Sequence, residues 1–333
     1  MWILSFSESD TMDITWHITF SGVSPAQIGD SATPHTVNHH QSDYEKIVEQ
    51  DHAELYNGLH GMSKPGSHPR RRLVLAVIFT SLTAVITILE LVYWFFRRST
   101  VHISVPGTVL FALHEILGVV RFLVSIYAPP SGPAFDTTVE AVFSLSSLPL
   151  AYWMVRTVLR IELVWKRGLP TFRRRSASHI ERASERLDMT MSWKVRLSIL
   201  STLFLCLFFL RDYMDLLPAL NPAPDSESVI KHLLAASQHS FWFTGCLSLI
   251  VLNYKSGLFA GSYKSATYLI WFNKAFLFLH YVPAVVGLYH TRPALDLPFI
   301  IGWVVQSVLV YQSMSLPAVS NSMVKGYEDE ESR

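Results

Sequence analysis

Leu73–Phe96 reads LVLAVIFTSLTAVITILELVYWFF, Ile103–Tyr127 reads ISVPGTVLFALHEILGVVRFLVSIY, and Thr138–Ile161 reads TVEAVFSLSSLPLAYWMVRTVLRI. A helix needs about 20 apolar residues to cross the hydrocarbon of a bilayer, and each of these segments supplies them. Each also carries ionisable residues that lipid disfavours: Glu90 in the first, His114, Glu115 and Arg121 in the second, Glu140 and Arg156 in the third. Such residues face a bundle interior, where they pair or act.

Working outward, four more apolar segments follow at Val195–Leu210, Leu233–Leu252, Thr267–Tyr289 and Leu297–Leu316. The fourth span is short enough to be re-entrant. The expected fold is therefore all-α, a polytopic membrane bundle of about seven transmembrane helices over residues 73–318. Residues 1–72 form a polar leader with Pro, Ser and scattered His, expected to be disordered. Residues 319–333 form a short acidic tail. Composition agrees: half of the 333 residues are hydrophobic and 16% are charged, against about a quarter charged in soluble domains.

Orientation follows from Lys and Arg near the span ends. Seven lie on the side of the N-terminus, among them Arg70, Arg71 and Arg72. Sixteen lie on the other side, including Arg97, Arg98, Arg160, Arg173, Arg174, Arg175, Lys255 and Lys264. The richer side is expected in the cytosol, with the N-terminus lumenal or extracellular, in the endoplasmic reticulum or the plasma membrane.

Basic residues flank spans and form no separate basic domain, so nucleic acid is not an expected partner; the lipid bilayer is. Cys206 and Cys246 fall inside apolar segments and form no CxxC pair, which argues against a disulfide framework or a cysteine-based metal site. The leader histidines fit no metal template. Asp212 and Asp215 form one DxxD, a weak basis for magnesium, so no metal and no cofactor is expected.

Within the spans, depth at about 1.5 Å per residue suggests two charge layers, Glu90 with Arg156 and Arg121 with Glu140, and Lys274 competes for Glu90. Glu115 sits mid-span beside His114 with no basic residue of the first three spans at its depth. A carboxylic acid in a dry cavity can protonate an alkene or epoxide, or carry a proton; it can equally serve as interhelix glue. His280, Asn273, Gln306 and Gln312 can line the same interior, and Trp242, Trp271, Tyr281, Trp303 and Tyr311 can shield a cation with their ring faces or simply pack. Arg173-Arg174-Arg175-Ser176-Ala177-Ser178 has a basophilic kinase pattern favouring Ser176, where phosphate would weaken attraction to anionic lipid.

Receptors of the rhodopsin type would show an acid-Arg-Tyr triplet after the third span, where Arg160-Ile161-Glu162 stands, and Asn-Pro-x-x-Tyr or a retinal lysine in the seventh. Aromatic prenyltransferases would show two aspartate-rich loops. In span number, leader composition and isolated acids (Glu90, Glu115), the chain resembles fungal integral membrane proteins of meroterpenoid and indole-diterpene pathways, and through them transmembrane terpene cyclases. That resemblance, of architecture only, implies a part in specialised-metabolite biosynthesis, in its sharpest form a cofactor-free cyclase acting on a hydrophobic prenylated small molecule. Catalytic candidates are Glu115, Glu90 and His114; substrate-lining candidates are Arg121, Arg156, Lys274 and His280. The competing expectation is a receptor-like sensor or a small-molecule carrier.

Overall fold

A computed structural model of the chain describes residues 53–54, 56–58, 68–126, 134–166, 169–210, 214–217, 229–287 and 295–319. The leader up to residue 52, Asp212, the Glu140 side chain and the tail beyond 319 lie outside the described residues.

Helix is the dominant state. The long elements are α1 (Pro69–Phe96), α2 (Val105–Ile126), α3 (Ala134–Val158), α5 (Trp193–Phe209), α6 (Val229–Ser256), α7 (Lys264–Leu279) and α9 (Leu297–Ser315). Short α4 (His179–Asp188) precedes α5, and α8 (Pro283–Val286) follows α7. Among the described residues, α1, most of α2 and α9 are each long and apolar enough to cross a membrane. A fourth crossing results if α4 and α5, bent by 51° at their junction, count together. The outward faces suit lipid: Val109, Leu113, Ile116, Val120 and Leu123 are exposed on α2, and Ile301, Val304, Val308 and Tyr311 on α9. Spacing of three and four residues makes each set one helical stripe. In water such stripes would be large apolar patches of a kind soluble proteins avoid; in a bilayer they need no cover.

Six helices close a ring. α1 packs on α3, α3 on α2, α2 on α6, α6 on α9, α9 on α7, and α7 back on α1, while α5 packs outside against α6. Small residues permit the closest approach: a Cβ on Gly245 would lie 3.2 Å from the Gly107 carbonyl oxygen and 3.0 Å from Phe111, the use small residues serve between membrane helices. Polar side chains fasten the ring elsewhere. Asn273 donates to Thr83 Oγ1 at 3.0 Å, joining α7 to α1, and Trp271 Nε1 donates to Ser307 at 2.8 Å. Gln306 donates to the Thr267 carbonyl, and Gln312 donates to the Ile250 carbonyl at 3.0 Å. Both glutamines are buried and hold helices together.

One end of the ring is clamped. α4 presents Glu181, Ser184 and Asp188, spaced to share one face, and all three are buried. They receive the backbone of the turn between α1 and α2. Thr100 N–H donates to Glu181 Oε1 at 2.9 Å, His102 N–H to Ser184 Oγ at 2.7 Å, and Val105 N–H to Asp188 Oδ2 at 3.1 Å. The last of these occupies an amide at the start of α2, one of the donors that a helix cannot pair internally. The turn needs such fixing because His102 sits at φ 57°, a left-handed conformation costing about 1–2 kcal/mol outside glycine.

Arginines complete the clamp. Arg160, also left-handed at φ 52°, pairs with Glu181 and Glu185 and donates to Thr100 Oγ1. Arg175 donates to Glu181 at 2.9 Å and to the Arg98 carbonyl at 3.3 Å. Arg196, at the start of α5, is 2% exposed and donates to Asp188 Oδ1 at 2.5 Å. Burial pushes the Glu181 carboxyl up, but the Thr100 and Ser178 amides and the Arg175 and Arg160 charges outweigh it and hold it below its ordinary value. At Asp188 burial prevails over Arg196 and its other donors, and the carboxyl is raised.

The turn at Arg160 also changes the expected third span. α3 stops at Val158, and the chain continues as an antiparallel hairpin of β1 (Ile161–Lys166) and β2 (Leu169–Arg174). At the far end of the ring, β3 (Asp215–Leu217) pairs with β4 (Leu295–Asp296), so Asp215 lies on a strand. Asp296 then caps α9, accepting from Phe299 N–H at 3.0 Å.

Removing one partner of a buried ion pair strands the other charge, at a cost of about 3–5 kcal/mol. Asp188→Ala is accordingly expected to lose about that much in denaturant unfolding of the detergent-solubilised protein. Adding Arg196→Met should recover a large part; no recovery would show that Asp188 acts mainly through Val105 N–H and the Ser104 hydroxyl, which donates to its Oδ1 at 2.9 Å.

Candidate functional site

Three chemically capable side chains lie at one depth. Glu115 on α2, Cys246 on α6 and Lys274 on α7 each sit ten residues from the clamp-side end of their helix, about 15 Å down at 1.5 Å per residue. Glu90 sits six residues from the same end of α1, about 9 Å down. Electrostatics tie them together. Glu90 lies within electrostatic reach of Glu115, and Cys246 within reach of Lys274 and Glu90. Members of four ring helices thus converge.

Lys274 is held by an aromatic and a helix backbone. Its Nζ lies 4.4 Å from the Trp242 ring centroid, a cation–π distance. A Cβ on Gly302 would approach that Nζ to 3.0 Å, so the ammonium rests on α9 where a glycine leaves room. Among the described residues, no carboxylate lies within ion-pair distance of it. Trp271, Trp303 and Phe278 stack nearby on α7 and α9, Trp271 and Trp303 with centroids 5.6 Å apart.

Histidines extend the group. His114 Nδ1 lies 2.9 Å from the Gln238 carbonyl oxygen. A carbonyl only accepts, so Nδ1 carries the proton and Nε2 of the neutral ring is an acceptor. His239 on α6 lies within electrostatic reach of His114, Arg121 and Lys274. A Cβ on the facing Gly118 would meet Gln238 Nε2 at 3.0 Å. The interior thus offers two carboxyls, two imidazoles, an ammonium and a thiol between α1, α2, α6 and α7. Proton donation, acceptance and relay are within its chemistry.

Of the residues singled out in the sequence, Glu90, Glu115, His114 and Lys274 fall in this group. Arg121 is exposed on α2 and lies within electrostatic reach of His239. Arg156 is elsewhere. It is two residues from the end of α3 and donates to the Ile161 carbonyl at 3.3 Å, its guanidinium 4.7 Å from the Trp153 centroid. No ion pair joins it to Glu90 among the described residues, because α3 ends early and leaves Arg156 at the clamp end. His280 is the C-cap of α7, beyond the group's depth. The Arg121–Glu140 layer falls on a side chain outside the described residues. No cluster of three or more His, Cys, Asp or Glu suited to a metal occurs among the described residues.

His239 was missed by the sequence reading. Its signal was the spacing His239, Trp242, Cys246, which places three chemically distinct residues on one face of α6; nothing local separates that from ordinary packing.

Compared with known proteins, the chain matches no family model, no curated relative and no solved structure.

Residues in contact or in one network show coupling of about 0.5–3 kcal/mol, while independent sites add within about 0.3–0.5. Glu90→Gln and Glu115→Gln should therefore change thermal stability non-additively when combined. Strict additivity in that double-mutant cycle would separate the two carboxyls.

Proposed function

We propose that this chain is a seven-span integral membrane protein whose interior handles protons for a lipid-soluble small molecule. In the sharpest form it is a cofactor-free cyclase of specialised metabolism acting on a prenylated substrate. The observation that carries this reading is the placement of Glu90 and Glu115 on neighbouring parts of one helix ring, within electrostatic reach, beside aromatic faces that can stabilise a cation. The seven long helices supply the crossings, and the Lys/Arg excess at the clamp end favours a cytosolic clamp.

The chemistry is an isomerisation and balances without an oxidant. A carboxyl O–H protonates a terminal alkene, or opens an epoxide, leaving a carbocation. An internal alkene attacks that cation and closes a ring. Loss of a proton from the cyclised cation to the carboxylate returns the site to its starting state; where an imidazole takes that proton first, the imidazolium then hands it to the donor carboxylate. Glu115 is assigned as donor, Glu90 as the second acid, and His114 as acceptor. The Trp242 face, which holds the Lys274 ammonium, is assigned to shield the cation.

Metabolite profiling of a strain lacking the gene beside one carrying Glu115→Gln tests the assignment. The expected result is accumulation of one uncyclised precursor in both, with the variant expressed and folded as the parent is. An unchanged profile in both would overturn a biosynthetic role. Uptake dependent on a pH gradient would then make the same acids a carrier's proton relay.

A further inference from the structure

We propose that Ser176 is a phosphorylation site and that its phosphate loosens the clamp through Arg175. Three observations meet there. Ser176 is exposed, in an irregular segment between β2 and α4. Arg173 and Arg174, at the third and second positions before it, are exposed as well. Protein kinases that read basic residues bind an extended segment whose arginines are free to pair with acidic groups.

Ser178, two residues on, does not share these properties. It is partly buried and is the N-cap of α4. Its hydroxyl accepts from Glu181 N–H at 3.2 Å, and its own N–H donates to Glu181 Oε2 at 3.0 Å. A phosphate there would sit against the Glu181 carboxylate and break the capping box. The structure therefore separates two serines that the sequence leaves nearly equivalent.

The transfer is balanced with ATP as the phosphoryl donor. Ser176 Oγ bonds to the γ-phosphorus, the bond from that phosphorus to the β–γ bridging oxygen breaks, ADP leaves, and the hydroxyl proton passes to the kinase's base. The product carries about −1.5 to −2 charge and strong acceptor oxygens. Its neighbour Arg175 is the link to the clamp, since that guanidinium holds Glu181 and the Arg98 carbonyl. Phosphate competes for Arg175, and Glu181 in turn anchors the Thr100 amide. The turn so affected joins α1, which carries Glu90, to α2, which carries Glu115. The inference needs the proposed cytosolic clamp for access to ATP, and it does not depend on the catalytic assignment.

The test treats the full chain in detergent with a basophilic kinase and ATP, followed by phosphopeptide mapping and amide hydrogen exchange. Phosphate is expected on Ser176, abolished by Ser176→Ala and retained in Ser178→Ala. Thr100 exchange is expected to rise about tenfold, the effect of weakening one charge-assisted hydrogen bond. No phosphate on Ser176, or equal phosphate on Ser178, overturns the site. Phosphate on Ser176 with unchanged Thr100 exchange overturns the coupling. In sealed vesicles with the N-terminus outside, labelling should require permeabilisation; labelling without it would place the clamp outside and overturn modification within cells, leaving cyclase activity to be judged separately.

Discussion

Buried backbone amides of the turn between α1 and α2 need partners, and α4 supplies them from side chains. Glu181, Ser184 and Asp188 take Thr100, His102 and Val105 in register, and the rest of the clamp end is arranged around this. Arg160, Arg175 and Arg196 neutralise the two carboxylates so that they can be buried. Their backbones also anchor the end of α3, the hairpin and the start of α5. Two left-handed residues, His102 and Arg160, are tolerated because the bonds around them hold the chain in place. A charged helix thereby acts as the fixed base from which apolar helices descend.

With that base set, the apolar helices have little freedom. Their outer stripes are satisfied by lipid, so the fold does not need to bury them, and stability falls to close packing and interhelical hydrogen bonds. Asn253 illustrates the economy: fully buried, it donates to Gln312 at 3.3 Å and accepts the Ala260 amide at 3.2 Å, joining α6, α9 and the turn after α6. Several polar residues that look functional in a membrane span are occupied in this way. Among the described residues, Glu90, Glu115, Lys274 and His239 make no such hydrogen bond, and they belong to the group of titratable side chains between α1, α2, α6 and α7. That contrast gives the interior its functional reading.

The helices and the membrane setting were legible because apolar length is a local property: α1 and α9 follow the expected segments within a few residues. The same counting put Glu115 at mid-span but set Lys274 in the layer of Glu90, whereas the helix ends place Lys274 level with Glu115. Arg156 was misplaced because the end of α3 is decided by a left-handed Arg160, and that conformation is imposed by Glu181 and Glu185, more than twenty residues later. The partners of the clamp were not legible: Thr100, His102 and Val105 bind through main-chain amides, which no side-chain pattern announces. The backbone partners of Gln306 and Gln312 were hidden for the related reason that a buried amide looks alike in sequence whether it meets a ligand or a neighbouring backbone.

Amide hydrogen exchange of the unmodified chain in lipid nanodiscs tests the clamp most directly. If α4 fixes the turn, Thr100, His102 and Val105 exchange together and only as slowly as the helices they join, despite lying in a connection between spans. If the three amides exchange separately, at rates typical of an exposed loop, the turn is not held by α4 and the account of the clamp is wrong.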